Sequence, residues 1–162
     1  MIRRFHARRS GSLSFETDKG ETMGQSIRDV MTPNPHTVAA DATLQDAARE
    51  MQQDDIGAVL VRDNGAVAGI LTDRDIVVRA IAEGRDPSST KVGDVATRDV
   101  KTLTPDSTVE DAIRIVREQN VRRIPVVDDS GQPQGIVSIG DLAIERDTDS
   151  ALADISSAPP NN

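Results

Sequence analysis

The sequence predicts a mixed α/β (α+β) fold: two β-α-β-β-α repeats packed sheet to sheet about a pseudo-two-fold axis. Three observations predict it. Ile27–Arg62 falls on Val92–Val127 at an offset of 65, with 10 of 36 positions identical, over a chain of 162 residues; a match of that length marks a duplicated unit. Each copy carries one stretch of helical apolar spacing and then two short β-branched runs joined by a turn. A single such unit leaves one apolar sheet face uncovered, and a second copy covers it.

The elements follow in order. The opening "MIRRFHARRSGSLSFETDKGETMGQ" has neither helical nor strand period and no acid before Glu16. Residues 1–25 are expected to be a disordered extension: a targeting peptide, a basic arm for a partner, or an upstream addition with Met23 near the natural beginning. Repeat 1 spans 26–84. It starts with the extended piece "HTVA", then a helix opening at Thr43 with Asp46 three residues on, a capping-box pattern. Leu44, Ala47, Ala48 and Met51 form its apolar face. "IGAVLV" and "AVAGIL" are strands joined at Asn64-Gly65, and a second helix begins at Thr72. "GRDPSST", from Gly84, supplies the linker at 85–91.

Repeat 2 spans 92–146 and repeats the series: "KTLT", a helix at Thr108 with Asp111 and the face Val109, Ala112, Ile113 and Val116, strands "RRIPVV" and "QGIVS" joined at Ser130-Gly131, and a helix from Ser138. One extra residue in the second turn moves the offset to 66 and sets "GIVSIGD" (Gly135–Asp141) on "GILTDRD" (Gly69–Asp75). The tail 147–162, rich in small polar residues and proline, is expected to be loose.

Composition narrows the function. With two Phe and no Trp or Tyr, the core is built from Val, Ile, Leu, Ala and Met. The absence of cysteine excludes disulfides, thiol catalysis and thiolate metal sites. No apolar run approaches the ~20 residues of a membrane span, and a cytoplasmic location is expected. Residues 1–22 carry a net +2, leaving −10 for the remainder of a chain whose total is −8. Nucleic acid is a poor partner for so acidic a body, because phosphate contacts need clustered Lys and Arg.

"IRDVMTPNPHTV" with "VGDVATRDVKTL", then "VRRIPVVDDSG", then "GILTDRDI" with "GIVSIGDL" together resemble a tandem pair of cystathionine-β-synthase (CBS) domains, a Bateman module, over Ser26 to Arg146. The chain is similar to small stand-alone bacterial CBS-pair proteins. The resemblance implies a regulatory module that binds an adenosine nucleotide (AMP, ADP or ATP, with S-adenosylmethionine or NAD as further candidates) between the repeats. It also implies a homodimer and a target protein that is not identified.

The doubled motif has two compatible readings. Thr72 and Ser138 cap helices, with Asp75 and Asp141 in the first turn. The same turn offers free N–H groups to an anion. The resemblance implies that Thr72 with Asp75, and Ser138 with Asp141, hold a ribose. Phosphates need cations, and Arg122 and Arg123 provide them where repeat 1 has Gly57 and Ala58. The resemblance further implies that a ligand takes its ribose contacts from one repeat and its phosphate contacts largely from the other, so the Asp75 cleft is expected to be the better phosphate site. Ile70, Thr37 and Val38 are candidates for the surface under the base in that cleft; Ile136, Thr102 and Leu103 are candidates in the other.

Two other classes compete. No hydroxyl–His–acid set is legible, and His36 stands alone beside two prolines, so neither an enzyme nor a metal site is expected. A purely structural dimerisation module would use apolar Ile76, Val77, Ile81, Leu142 and Ile144 on the second helices.

Overall fold

The structure, a computed structural model, describes residues 25–146. The expected extension 1–25, apart from Gln25, and the tail 147–162 lie outside the described residues.

The chain folds into two sheets flanked by helices, as the apolar spacing of the repeats requires. Repeat 1 contributes α1 (Ile27–Val30), β1 (Thr32–Pro33), β2 (Thr37–Ala39), α2 (Leu44–Asp54), β3 (Ala58–Asp63), β4 (Ala66–Thr72) and α3 (Asp73–Ile76). α3 runs on as a π-helical turn, Val77–Ile81. After a 3-10 turn at Val92–Asp94, repeat 2 contributes β5 (Thr97–Arg98), α4 (Val109–Gln119), β6 (Arg123–Val127), β7 (Pro133–Ser138) and α5 (Ile139–Arg146).

Local chemistry fixes these boundaries. Thr108 and Asp111 form a complete capping box at α4. Thr43 accepts the Asp46 N–H at 3.1 Å and donates to its carboxylate at 2.7 Å. α2 and α4 both end on a left-handed residue, Asp55 and Asn120, residue types that tolerate that conformation. Asn64 and Gly65 both have positive φ, 50° and 89°, as a two-residue hairpin turn that matches strand twist demands.

The sheets are not made from one repeat each. One runs β2-β3-β4-β5 and the other β1-β7-β6. β5 is encoded in repeat 2 but pairs with β4, setting Gly69 opposite Arg98 and Ile70 opposite Thr97. β1 is encoded in repeat 1 but pairs with β7, setting Thr32 opposite Ile136 and Pro33 opposite Gly135. The cores are exchanged in the same way. Val92 and Val95 belong to the core of Leu44, Ala47, Met51, Val59, Val61 and Leu71. Ile27 belongs to that of Val109, Ala112, Ile124, Val126 and Val137.

The exchange explains the doubled glycine. A Cβ on Gly69 would collide with the Thr97 carbonyl oxygen of β5, and one on Gly135 would sit 2.6 Å from Met31 Sδ and 2.9 Å from the Thr32 carbonyl oxygen. Both glycines admit the strand that crosses from the other repeat. Leu60 and Pro125, at matching positions of β3 and β6, are fully buried yet belong to neither helix-side core. Strand alternation turns them to the opposite face, where the two sheets meet.

Candidate functional site

β4 ends at Thr72, and the helix that follows opens with a capping box. The Thr72 hydroxyl and backbone N–H donate to Asp75 Oδ2 at 2.7 and 3.0 Å, and the Asp75 N–H returns to the Thr72 hydroxyl at 3.1 Å. Ser138 and Asp141 repeat it at 2.8, 2.7 and 3.2 Å. Capping is thus a role the doubled motif fills in both copies. It uses one carboxylate oxygen and leaves Oδ1 toward other partners.

The surroundings of the two copies differ. Asp75, only 15% exposed at its side chain, has its Oδ1 3.5 Å from Arg79 Nε. Arg79 also donates to the Val95 carbonyl at 3.1 Å and the Thr97 hydroxyl at 3.0 Å, so it ties Asp75 to the incoming segment of repeat 2. The offset of 66 places Glu145 at the equivalent position beside Asp141.

A cavity of ≈ 940 Å³ opens against Thr72 and Asp75. This is within the roughly 300–1,000 Å³ of small-molecule sites. Ile70, Val100, Val116 and Val121 give it apolar lining; Lys101, Arg122 and Arg123 line its other side. The fold therefore brings Ile70, Thr72, Asp75, Arg122 and Arg123 to one cleft between the repeats. Arg122 and Lys101 are exposed and Arg123 is half-buried. None of the three spends its charge in an ion pair or side-chain hydrogen bond among the described residues. The guanidinium of Arg123 reaches across to repeat 1, 3.5 Å from where a Cβ of Gly57 would stand.

Four expected residues are placed elsewhere. Thr37 and Val38 do not join Ile70: β2 and β4 flank β3 on opposite sides. They line a separate cavity of ≈ 760 Å³ with Arg62, Lys91, Asp94 and Arg98. Two of its cations are already committed, Arg62 to the Gly65 carbonyl and Arg98 to that of Gly93. Leu103 is a core residue of repeat 2, bridged to Val126, and Thr102 is exposed beside it. The physical reason is the exchanged strand. The residues just after β5, Asp99 to Lys101, reach the cleft, and by Thr102 the chain has left it. Ile136, Ser138 and Asp141 stand at the corresponding strand end and helix start of repeat 2.

Sequence reasoning missed Arg79, Val100 and Lys101. The spacing of Asp75 and Arg79 at i, i+4 was a legible signal for the first. The other two depend on β5 crossing, for which a two-residue strand leaves no periodicity. Among ionisable groups, Asp111 is held below the usual carboxylate range, first by the Thr108 hydroxyl and next by its backbone N–H.

A family model of the CBS domain matches residues 27–81 and 92–146. The CBS domain-containing protein YhcV of Bacillus subtilis is 38% identical over 135 residues, covering 81% of this chain and 95% of that protein. A CBS-domain containing protein from Agrobacterium tumefaciens superposes with a TM-score of 0.66 at 30% identity, over 75% of this chain and 99% of that one. CBSX2, solved in complex with AMP, superposes with a TM-score of 0.64 at 27% identity, over 75% and 96%. The chain belongs to the CBS domain family, as a tandem pair, a regulatory rather than a catalytic type of module. Among the described residues no helix is long and apolar enough to cross a membrane.

Proposed function

We propose that this CBS pair senses an adenosine nucleotide, AMP, ADP or ATP, in the cleft between Asp75 and Arg122–Arg123. One observation carries the reading: a single cavity joins the Thr72–Asp75 helix start of one repeat to three uncommitted cations of the other. Asp75 Oδ1 accepts a ribose hydroxyl, Ile70, Val100 and Val121 cover the base, and Arg122, Arg123 and Lys101 take the phosphates. The AMP complex of CBSX2 supports the ligand class. S-adenosylmethionine and NAD share the adenosine but present fewer or differently placed anionic groups to those cations.

The signal passes to a target protein through a homodimer. Val77, Val78 and Ile81 are 57%, 48% and 49% exposed on the π-helical turn, and they supply its apolar contact. Ile76 and Leu142, expected in that contact, are instead core residues of their repeats, 8% and 5% exposed. A module that only dimerises is the second reading, and the same three exposed residues favour it.

Calorimetric titration of AMP and ATP into four variants tests the proposal. Asp75→Ala, Arg122→Ala and Arg123→Ala each remove one charged hydrogen-bond partner. Each is expected to cost about 1.5–3 kcal/mol, roughly ten- to a hundred-fold in affinity. Asp141→Ala is expected to cost less, since its cleft has Gly57 and Ala58 at the cation positions. Loss in Asp141→Ala with Asp75→Ala unchanged transfers the site to the other cleft. No saturable binding of any adenosyl compound leaves the dimerisation module.

A further inference from the structure

The sequence leaves His36 without partners, and the fold supplies two. His36 stands just before β2; Glu50 and Asp54 lie one turn apart near the end of α2. His36 Nδ1 is 3.3 Å from Asp54 Oδ2 and 3.6 Å from Glu50 Oε1. One ligand atom from each of the three lies within 4.8 Å of the others, the only such group of three among the described residues. Tetrahedral bonds of ~2.0–2.2 Å to a transition metal separate neighbouring ligands by about 3.3–3.6 Å. Two of the three edges are already at that length. An imidazole Nδ1 carries at most one proton, so it can donate fully to only one of two carboxylates. A cation between the three groups engages both acids and cancels their repulsion.

The duplication provides an independent observation. At the offset of 65, His36 and Asp54 occupy the positions of Lys101 and Gln119, which line the Asp75 cleft. Where repeat 2 has a cation and an amide, repeat 1 has an imidazole and a carboxylate, with Glu50 one turn behind. The two equivalent places differ in the charge they attract, and the histidine and acids are set to receive a positive ion.

We propose that His36, Glu50 and Asp54 form a binding site for a divalent first-row transition ion of the Zn(II) type. The three side chains are 42%, 34% and 43% exposed, so water completes the coordination. This site does not depend on nucleotide binding in the Asp75 cleft.

Titration of Zn(II) into the full chain, in a buffer that does not chelate, tests it by calorimetry. One saturable site per chain is expected. His36→Ala, Glu50→Gln and Asp54→Asn should each weaken it about ten-fold or more. His6→Ala, which removes the other histidine, should leave it unchanged. The three variants keep their melting temperature in metal-free buffer, because none of these residues belongs to either core. Co(II) gives a second readout: its tetrahedral absorption should form with the native chain and vanish in His36→Ala. Absence of saturable Zn(II) binding overturns the proposal, as does undiminished Zn(II) affinity or a surviving Co(II) band in His36→Ala.

Discussion

Replacing Gly69 by alanine tests the strand exchange on which the cleft rests. In an ordinary strand this change removes glycine's extra unfolded-state freedom and stabilises by about 0.5–1 kcal/mol. Here the new methyl meets the Thr97 carbonyl oxygen, a backbone atom that cannot swing aside. Overpacking of this kind costs about 1–3 kcal/mol, and the β4–β5 pairs Gly69–Arg98 and Ile70–Thr97 are loosened with it. At roughly 4 °C of Tm per kcal/mol for a domain of this size, Gly69→Ala should melt about 4–12 °C below the native protein. Gly135→Ala should lose less. Its methyl meets the flexible Met31 thioether first and the Thr32 carbonyl oxygen second, at 2.6 and 2.9 Å. Differential scanning calorimetry of the two variants side by side is the assay. A Gly69→Ala protein that melts at or above the native temperature refutes the close approach of β5. A larger loss in Gly135→Ala refutes the assigned order of obstacles.

Three further outcomes are expected. Val78→Glu or Ile81→Glu should convert the proposed dimer to a chain of 17.4 kDa in light scattering, and a native protein that is already monomeric removes the contact. Arg79→Ala should weaken nucleotide binding less than Asp75→Ala, since a half-exposed i, i+4 pair contributes only about 0.3–0.5 kcal/mol; equal losses in calorimetry would make Arg79 a direct ligand contact. The folded Asp111 carboxyl titrates below its unfolded value, so its contribution to the cap is complete above about pH 4 and is lost as pH falls through the lower folded value. The gap in urea stability between the native protein and Asp111→Asn should close in acid, and a gap constant down to pH 2 refutes the capping role.

Much of the architecture was legible because it is written in local terms. Thr72, Thr108 and Ser138 announce helix starts through hydroxyl and acid spacing, Asn64-Gly65 announces its hairpin, and the 65-residue offset announces the pairing. The juxtaposition of Asp75 with Arg122 and Arg123 was implied by the family resemblance, not by local pattern. Illegible were the partners of short segments. Thr32–Pro33 and Thr97–Arg98 are two-residue strands, too short for any period, and they cross between units. Thr37 and Val38 were set beside Ile70 as apolar surface under the base, but β2 and β4 lie on opposite sides of β3. The crossing of β5 hands that position to Val100 and Lys101. Ile76 and Leu142 were misplaced for a similar reason. On short helices one apolar side chain faces the core and its neighbour faces solvent, and spacing alone does not say which.

The two copies of the motif separate what the backbone requires from what the cleft does with it. Gly69 and Gly135 admit the crossing strand, Thr72 and Ser138 cap, and Asp75 and Asp141 close the box; these pairs match because the same turn must be built twice. Around them the pairs diverge in charge: Arg122 against Gly57, Arg123 against Ala58, Lys101 against His36, Gln119 against Asp54, Arg79 against Glu145. These five changes add positive charge on the Asp75 side, while Asp73 against Ile139 and Asp99 against Asn34, in the same cleft, add negative charge. Capping needs none of these differences, and among the described residues the cations at Arg122, Arg123 and Lys101 stand free of ion pairs in that cleft. Anion binding at the Asp75 cleft and cation binding at His36 are the two ligand classes that this polarity favours.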